Sequence, residues 1–255
     1  MKRLVFILIS GLVIVSCKKD TKAPEPIPEP VADYGTVKVS FKNMVDTLPL
    51  IFGNTYKNPN GDTMTINMFK YYISNVVLTK ADGSKYTEAE SYHLINHGNA
   101  STLSFTSSNI PAGTYKSISY IIGVDSTRNV SGAQDGDLKQ SLGMFWNWNT
   151  GYIMLKLEGN SPQAGSTGKT ISFHIGGFSG ANNVLKKVTI NFAQDLVIAS
   201  NKNPELKLKT NVNEMFKSPN LINFQTTYGI MIEGAPAVMI ANNYADMMSY
   251  DSIVP

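Results

Sequence analysis

Apolar residues recur at every second position in several short segments of this chain, and that spacing is typical of β-strands. In the first segment, Val37, Val39 and Phe41 share one face. Similar patterns predict six further strands, at 71–79, 117–124, 152–158, 170–175, 188–192 and 206–210. Helical spacing of apolar residues is nearly absent and predicts two short pieces, at 213–216 and 244–248.

Turn-forming clusters separate these segments, for example Asn-Pro-Asn-Gly-Asp at 58–62 and Pro-Ala-Gly at 111–113. Many short strands separated by such clusters favour two packed antiparallel sheets over a helical protein. We therefore predict a mainly β domain over residues 34–255. The simplest architecture is a single antiparallel β-sandwich with Greek-key-like connections and long loops.

The N-terminus predicts export from the cytoplasm. Lys2 and Arg3 precede an apolar run at 4–15, which is too short for a permanent transmembrane helix and fits a signal peptide over 1–16. The run ends at Cys17, the single cysteine of the chain, in a setting that resembles a bacterial lipobox. We expect lipid attachment at Cys17 and hence anchoring to the membrane; the alternative is an ordinary signal peptide with an incidental cysteine.

A Pro- and Glu-rich stretch at 17–33 follows and predicts an extended linker. Its Ser-Cys-Lys-Lys-Asp start resembles lipoproteins of the Bacteroidetes type, which places the anchor in the outer membrane, on the periplasmic face or at the cell surface. Without the signal peptide, 20 of the 22 basic residues remain against 19 acidic ones. This near-neutral balance argues against a nucleic-acid partner.

The chain has three histidines, and their positions give the candidate chemistry. Ile171, Phe173 and Ile175 take one face of a predicted strand, so His174 projects from the other. His93 follows a similar alternation, and His97 falls in a predicted loop. Each could be an ordinary polar side chain, but imidazole nitrogens without thiolate partners would suit copper.

Both tryptophans of the chain lie two residues apart, at Trp146 and Trp148. In an extended segment both indoles project to the same side, as a binding surface or as a buried aromatic cluster.

Asp125, which precedes the tryptophans in the sequence, has two interpretations. It could order a long loop by pairing with Arg128, or it could serve as an oxygen ligand.

Six segments of the chain resemble the methanobactin-associated copper-binding proteins, the MbnP-like family, and the similarity runs from about residue 35 to 254. The segments are FKYYISN at 69–75, YHL at 92–94, PAGTY at 111–115, GVDSTRN at 123–129, MFWNWNTGY at 144–152 and FHIGG at 173–177. The MFWxWxxGY block followed by FHxG is the most specific part of this resemblance.

The resemblance implies an exported β-sandwich that binds copper. It also implies that a tryptophan is oxidised to kynurenine in some members, by a partner di-haem peroxidase-like enzyme. His174 matches the family's Phe-His-x-Gly histidine, and His93 is a weaker match. Trp146 or Trp148 is the candidate for modification.

Two functions from different classes remain. The first is a lipid-anchored copper-binding protein that serves copper acquisition or handling, with Asp125 as an additional candidate ligand. The second is a surface module that binds glycan or protein through Trp146 and Trp148 without metal. A purely structural role would bury both indoles. No nucleophile–histidine motif or carboxylate pair predicts an enzyme.

The lipid anchor gives the first testable prediction. Cys17→Ser removes the acceptor of the lipid, so the variant should leave the membrane fraction and become soluble in the cell envelope. Immunoblotting of membrane and soluble fractions measures this, and a variant that stays fully in the membrane fraction would disprove the anchor.

Overall fold

The computed structural model describes residues 33–131, 134–146 and 151–255, and these build two β-sheets with little helix. Fourteen strands are present in the described residues. The strands are β1 (Tyr34–Val45), β2 (Leu48–Pro49), β3 (Thr55–Lys57), β4 (Thr63–Lys80), β5 (Lys85–Thr87), β6 (Tyr92–Asn96), β7 (Ser104–Pro111), β8 (Gly113–Ile122), β9 (Ile153–Asn160), β10 (Thr170–Gly176), β11 (Lys186–Ile198), β12 (Glu205–Asn211), β13 (Gly229–Ile230) and β14 (Met248–Val254). The two α-helices are α1 (Ser126–Asn129) and α2 (Ala235–Tyr244).

The first sheet is built around β1. Strand β12 pairs with one edge of β1, and β14 continues the sheet beyond β12. Strands β7 and β2 pair with the other edge of β1. The β1–β12 pair is parallel, as is β10–β13 in the second sheet. The mainly β, sandwich-like domain predicted from sequence is confirmed. Its sheets are mixed, because these two strand pairs are parallel where the prediction had antiparallel pairing.

The second sheet is built around the 18-residue strand β4. One edge of β4 carries β3, β6 and β5 in turn. On the opposite edge, β9 pairs with residues 65–71 and β8 pairs with residues 73–80. The sheet thus forks: β10 and β13 extend it beyond β9, and β11 extends it beyond β8.

The core lies between the two sheets. Tyr71 of β4 shows how they meet: its ring packs edge-on against Phe41 of β1, with centroids 6.1 Å apart. Its hydroxyl is 3.0 Å from both Asn43 and Thr210 of the first sheet. Burial raises the pKa of Tyr71 far above its ordinary value, so the hydroxyl stays protonated and can donate a hydrogen bond.

A 30-residue connection runs from Gly123 to Tyr152, between β8 and β9, and leaves the second sheet where that sheet forks. Its described residues, 123–131, 134–146 and 151–152, include those that pack on the outer face of the sheet. Tyr72 of β4 packs edge-on against Tyr152 at 5.7 Å and donates a hydrogen bond to the Asp137 carbonyl. Leu138, Met144 and Trp146 of the connection are buried. A second apolar layer therefore lies outside the sandwich.

All seven strands predicted from sequence are confirmed. Five of the predicted ranges lie within an observed strand, and the ranges 117–124 and 152–158 extend slightly beyond β8 and β9. The predicted helical piece at 213–216 is a 3₁₀ helix, Val212–Phe216. The piece predicted at 244–248 is wrong, because α2 ends at Tyr244 and β14 begins at Met248. Pro236 lies in the first turn of α2, where its missing N–H costs nothing, and this favours the earlier start.

Glu88 ties the two sheets together beside the core. It lies between β5 and β6 of the second sheet and accepts a hydrogen bond from Ser107 of β7, in the first sheet, at 2.6 Å. Ser91 donates a second hydrogen bond at 2.6 Å, and His93 Nε2 lies 2.8 Å from the same carboxylate. Burial alone would raise the pKa of Glu88, but these hydrogen bonds outweigh it and hold the pKa below the usual 4.5.

This arrangement predicts an acid-sensitive contribution to stability. A carboxyl whose pKa is lowered by folding stabilises the protein above its unfolded pKa of about 4.5, and this contribution is lost as the pH falls through the folded pKa. Glu88→Gln should lower the free energy of unfolding at neutral pH by about 1.5–3 kcal/mol. It should also lose less stability than the natural chain on acidification. Urea denaturation at several pH values measures both.

Glu233→Gln is the matched control, because Glu233 is exposed and its substitution should change neither quantity. The role of Glu88 would be contradicted if the free energy of unfolding fell equally on acidification in the natural chain and in Glu88→Gln.

Candidate functional site: the outer face of the second sheet

His174 lies on the outer face of β10, away from the main core. Its strand neighbours Phe173 and Ile175 point inward and are fully buried, as alternation along the strand requires. His174 is nevertheless 7 % exposed, because the connection at 123–152 covers this face. Its Nε2 lies 2.7 Å from Oε1 of Glu158, on the adjacent strand β9. The sequence-based prediction that His174 leaves the main core is confirmed.

Two lysines lie beside His174 on the same face. Lys156 of β9 is directly opposite His174 in the strand pairing, and Lys70 of β4 is directly opposite Lys156. Lys70 donates a hydrogen bond to the carbonyl of Leu142 at 3.0 Å, and Lys156 lies 3.4 Å from the carbonyl of Gly143. Both lysines therefore hold the connection against the sheet.

The charges and the burial around His174 set its protonation. Burial lowers the pKa of His174, the hydrogen bond to Glu158 raises it, and the Lys156 charge lowers it; the net change is downward. For Glu158, burial raises the pKa, but the contacts with His174 and Lys156 give a net lowering. His174 is therefore neutral and Glu158 is ionised at neutral pH. A neutral imidazole is the form that binds metals.

Trp146 packs on Gly176, two residues after His174 on β10. Two atoms of its six-membered ring lie 2.4 and 2.5 Å from the place where a Cβ of Gly176 would be, so the indole lies directly on that glycine. Gly176 and His174 are two residues apart on one strand and share a face, with their Cα atoms about 7 Å apart. The indole therefore lies on the same face of β10 as the imidazole. Trp148 lies outside the described residues.

Trp146 is 6 % exposed. Its backbone N–H donates a hydrogen bond to the Gly151 carbonyl at 3.1 Å. Of the two interpretations of the indoles, the structure supports the buried one for Trp146, because the missing side chain of Gly176 lets the ring pack directly on the strand.

The other two histidines lie elsewhere. His93 is opposite Ile73 in the strand pairing and faces the first sheet, where its ring stacks on Phe105 at 3.6 Å. His97 Nδ1 is 3.2 Å from the side-chain amide nitrogen of Asn43, and burial lowers the pKa of His97. His93 and His174 are on opposite faces of the second sheet. The predicted set of two histidines around one ion is not formed.

Comparison with known proteins identifies the family to which the chain belongs. The MbnP family model matches residues 34–233. The chain belongs to the MbnP family. A solved structure, MbnP from Methylosinus trichosporium, superposes with a TM-score of 0.53 and 15% sequence identity, covering 86% of this chain and 98% of that one. At this identity the match shows a shared fold. No curated protein gives a significant sequence match.

Asp125, within the matched MbnP region, orders the start of the connection. Its carboxylate caps α1 by accepting a hydrogen bond from the Thr127 N–H at 3.0 Å. It also accepts from the Asn75 amide at 2.7 Å and from the Tyr92 hydroxyl at 3.2 Å. The predicted pairing with the Arg128 side chain is wrong, because that guanidinium pairs with Glu90. The loop-ordering role is what the structure supports.

Glu158 is the site residue that sequence reasoning missed. It follows Lys156 on the polar face of β9, and this alternation marks it as outward-facing. The strand pairing that brings it to His174 is not visible in the sequence. In the described ranges, no group of three or more His, Cys, Asp or Glu side chains lies close enough to hold a metal ion. This part of the MbnP domain thus offers one imidazole and one carboxylate.

The contact between Trp146 and Gly176 gives a prediction. Gly176→Ala would place a methyl group inside the indole contact, so the ring must move toward solvent. We expect a red shift in Trp146 fluorescence and a loss of about 1–3 kcal/mol in unfolding free energy. Both are measured in a Trp148→Phe background, so that Trp146 is the one emitting tryptophan.

Gly168→Ala is the matched control, since its nearest neighbour would be 3.7 Å away and no change is expected. An unchanged spectrum in Gly176→Ala would show that the indole does not rest on this strand.

Proposed function

We propose that this chain is a lipid-anchored protein of the cell envelope that binds copper for acquisition or handling, with His174 as its imidazole ligand. Membership of the MbnP family supports a copper-related role at the family level. The contact between His174 and Glu158 is the observation that supports these two residues as part of the copper site.

Histidines that bind metals usually use one ring nitrogen for the ion and hold the other with a carboxylate. The carboxylate fixes the orientation of the ring and makes the coordinating nitrogen a better donor. In His174, Nε2 contacts Glu158, and Nδ1 makes no hydrogen bond to any residue that the structure describes. Nδ1 is therefore the atom that would bind copper.

A single imidazole fits copper as one ligand of a set. All three histidines of the sequence lie in the described ranges, but His93 faces the other side of the second sheet and His97 contacts Asn43 of the first sheet. We propose that Trp146 or Trp148 supplies further donors after oxidation to kynurenine by a di-haem oxidase partner. The aniline nitrogen and carbonyl of kynurenine can coordinate, whereas an indole cannot. Peptide mass spectrometry on protein from its native host tests the modification.

We propose a binding role without catalysis. The alternative, a glycan- or protein-binding surface, needs exposed indoles, and the burial of Trp146 disfavours it. We further propose attachment to the outer membrane through a lipid on Cys17. Among the described residues, no helix is long and apolar enough to cross a membrane.

Copper affinity in variants tests the site. His174→Ala removes the donor and should weaken copper binding by at least about 100-fold, while Glu158→Gln should weaken it by about 10–100-fold through loss of orientation. Equilibrium competition against a coloured copper chelator measures the affinities. Circular dichroism verifies that each variant is folded.

His93→Ala is the matched control, because His93 faces the other side of the same sheet and should leave copper affinity unchanged. Equal losses in His174→Ala and His93→Ala, or no loss in His174→Ala, would refute the assignment of the site.

A further inference from the structure

The outer face of the first sheet is open to solvent and carries a group of lysines. Along β1 the inward side chains are buried, and the outward ones are exposed or half-buried, as alternation in a half-buried strand requires. On β12, the strand next to β1, Lys207 lies opposite Ser40. Lys209 lies opposite Lys42. Basic side chains from two adjacent strands therefore share one face.

This face holds the net charge of the domain. Its strands carry four outward lysines and two outward carboxylates, which are Lys38, Lys42, Lys207 and Lys209 against Glu205 and Asp251. Residues 34–255 contain 17 basic and 15 acidic residues, so the remainder of the domain is balanced. A domain whose excess charge is confined to one face turns that face toward a surface of opposite charge.

The lysines of this face reach further into solvent than the carboxylates that they contact. Glu205 lies 3.1 Å from Lys38 and 3.6 Å from Lys207. Asp251 lies 2.7 Å from Lys209. These three lysine side chains are 50%, 39% and 42% exposed, whereas the two carboxylates are 24% and 25% exposed. The outermost layer of the face is therefore positive.

Lys42 adds to this layer, because it is exposed and forms no ion pair with any residue that the structure describes.

The proposed lipid anchor joins the domain in this same sheet. The linker predicted at 17–33 leads from Cys17 directly into β1, the strand at the centre of the sheet. An extended linker of this length spans about 50 Å, which is comparable to the diameter of a domain of this size. Such a tether keeps the domain close to the bilayer and leaves its orientation to be decided by other forces.

We propose that the outer face of the first sheet lies against the anionic phospholipid headgroups of the bilayer that holds the anchor. The inference rests on the proposed attachment through Cys17 and adds the orientation of the domain. Each lysine beside an anionic surface favours contact by about fivefold. Because the tether keeps the local lipid concentration high, a small excess of positive charge is enough. His174 and Trp146, on the opposite side of the sandwich, then face away from the bilayer.

Chemical labelling of lysines on vesicles tests this orientation. The natural lipidated chain is bound to vesicles of neutral phosphatidylcholine or to vesicles rich in anionic phosphatidylglycerol, and it is labelled with the uncharged reagent acetic anhydride. Peptide mass spectrometry gives the rate at each lysine. We expect Lys42 and Lys209 to react at least about threefold more slowly on the anionic vesicles. This protection should disappear in about 1 M salt, where the screening length is about 3 Å.

The same sample contains an internal control. Lys139 of the connection and Lys187 of β11 are exposed on the opposite side of the sandwich. They should react at equal rates on both kinds of vesicle.

A pair of charge variants tests whether the lysines cause the orientation. Lys207→Gln/Lys209→Gln removes the excess charge of the face, so Lys42 should react equally on both kinds of vesicle. Lys139→Gln/Lys187→Gln is the matched control, because it removes the same charge from the opposite side and should keep Lys42 protected. Circular dichroism verifies that both variants are folded.

The orientation would be overturned, with the anchor left standing, by equal rates at Lys42 on the two kinds of vesicle or by protection that persists in Lys207→Gln/Lys209→Gln. Protection of Lys139 and Lys187 in place of Lys42 would overturn it as well. A natural chain that floats with neither kind of vesicle in a density gradient would overturn both the anchor and the orientation.

Discussion

Strand β4 pairs with two different strands along a single edge, and the position of the candidate site depends on this constraint. Strand β9 occupies the first half of that edge and β8 the second half. The chain that joins β8 to β9 must therefore leave the sheet at their junction. At that junction the Gly123 N–H donates to the Tyr72 carbonyl, and Met154 lies close against Gly123. The connection leaves the sheet at this junction, and residues of the connection pack on the outer face of the sheet.

The covering of that face changes the chemistry of polar residues that alternation places there. On an open sheet, Lys70, Lys156 and His174 would be ordinary solvated side chains. Beneath the connection they are partly or fully removed from water, and each has a defined partner: two backbone carbonyls and Glu158. Burial strengthens the electrostatic interactions among them, because fewer water molecules screen the charges. One sheet thus has an apolar inner face and an outer face with an organised set of charges.

Much of this fold was predictable from local patterns. The alternation of apolar residues located seven strands, and it placed His174 on the polar side of its strand. Alternation also predicted that His93 lies in a strand. It did not predict that His93 pairs with Ile73 and therefore faces the first sheet. Which histidines meet is decided by strand pairing between distant segments, and strand pairing leaves no local signal.

The first part of β4 was missed for a similar reason. The predicted strand begins at residue 71, whereas β4 begins at Thr63, and the alternation of buried and exposed side chains in its first part is interrupted near 67–68. The pairing with β9 shifts register at this point, and β9 is distant in the sequence. The parallel pairing of β1 with β12 and the burial of Trp146 likewise depend on segments far apart in the sequence.

We propose that His174, alone among the three histidines, is the imidazole that binds copper. Long-range ¹H–¹⁵N NMR of the ring nitrogens tests it most directly, with Ag(I) as a diamagnetic substitute for Cu(I), because three imidazoles give a readily assigned spectrum. We expect Ag(I) to shift the Nδ1 resonance of His174 and to leave the ring-nitrogen resonances of His93 and His97 unchanged. A shift at His93 or His97, or an unchanged His174, would contradict it.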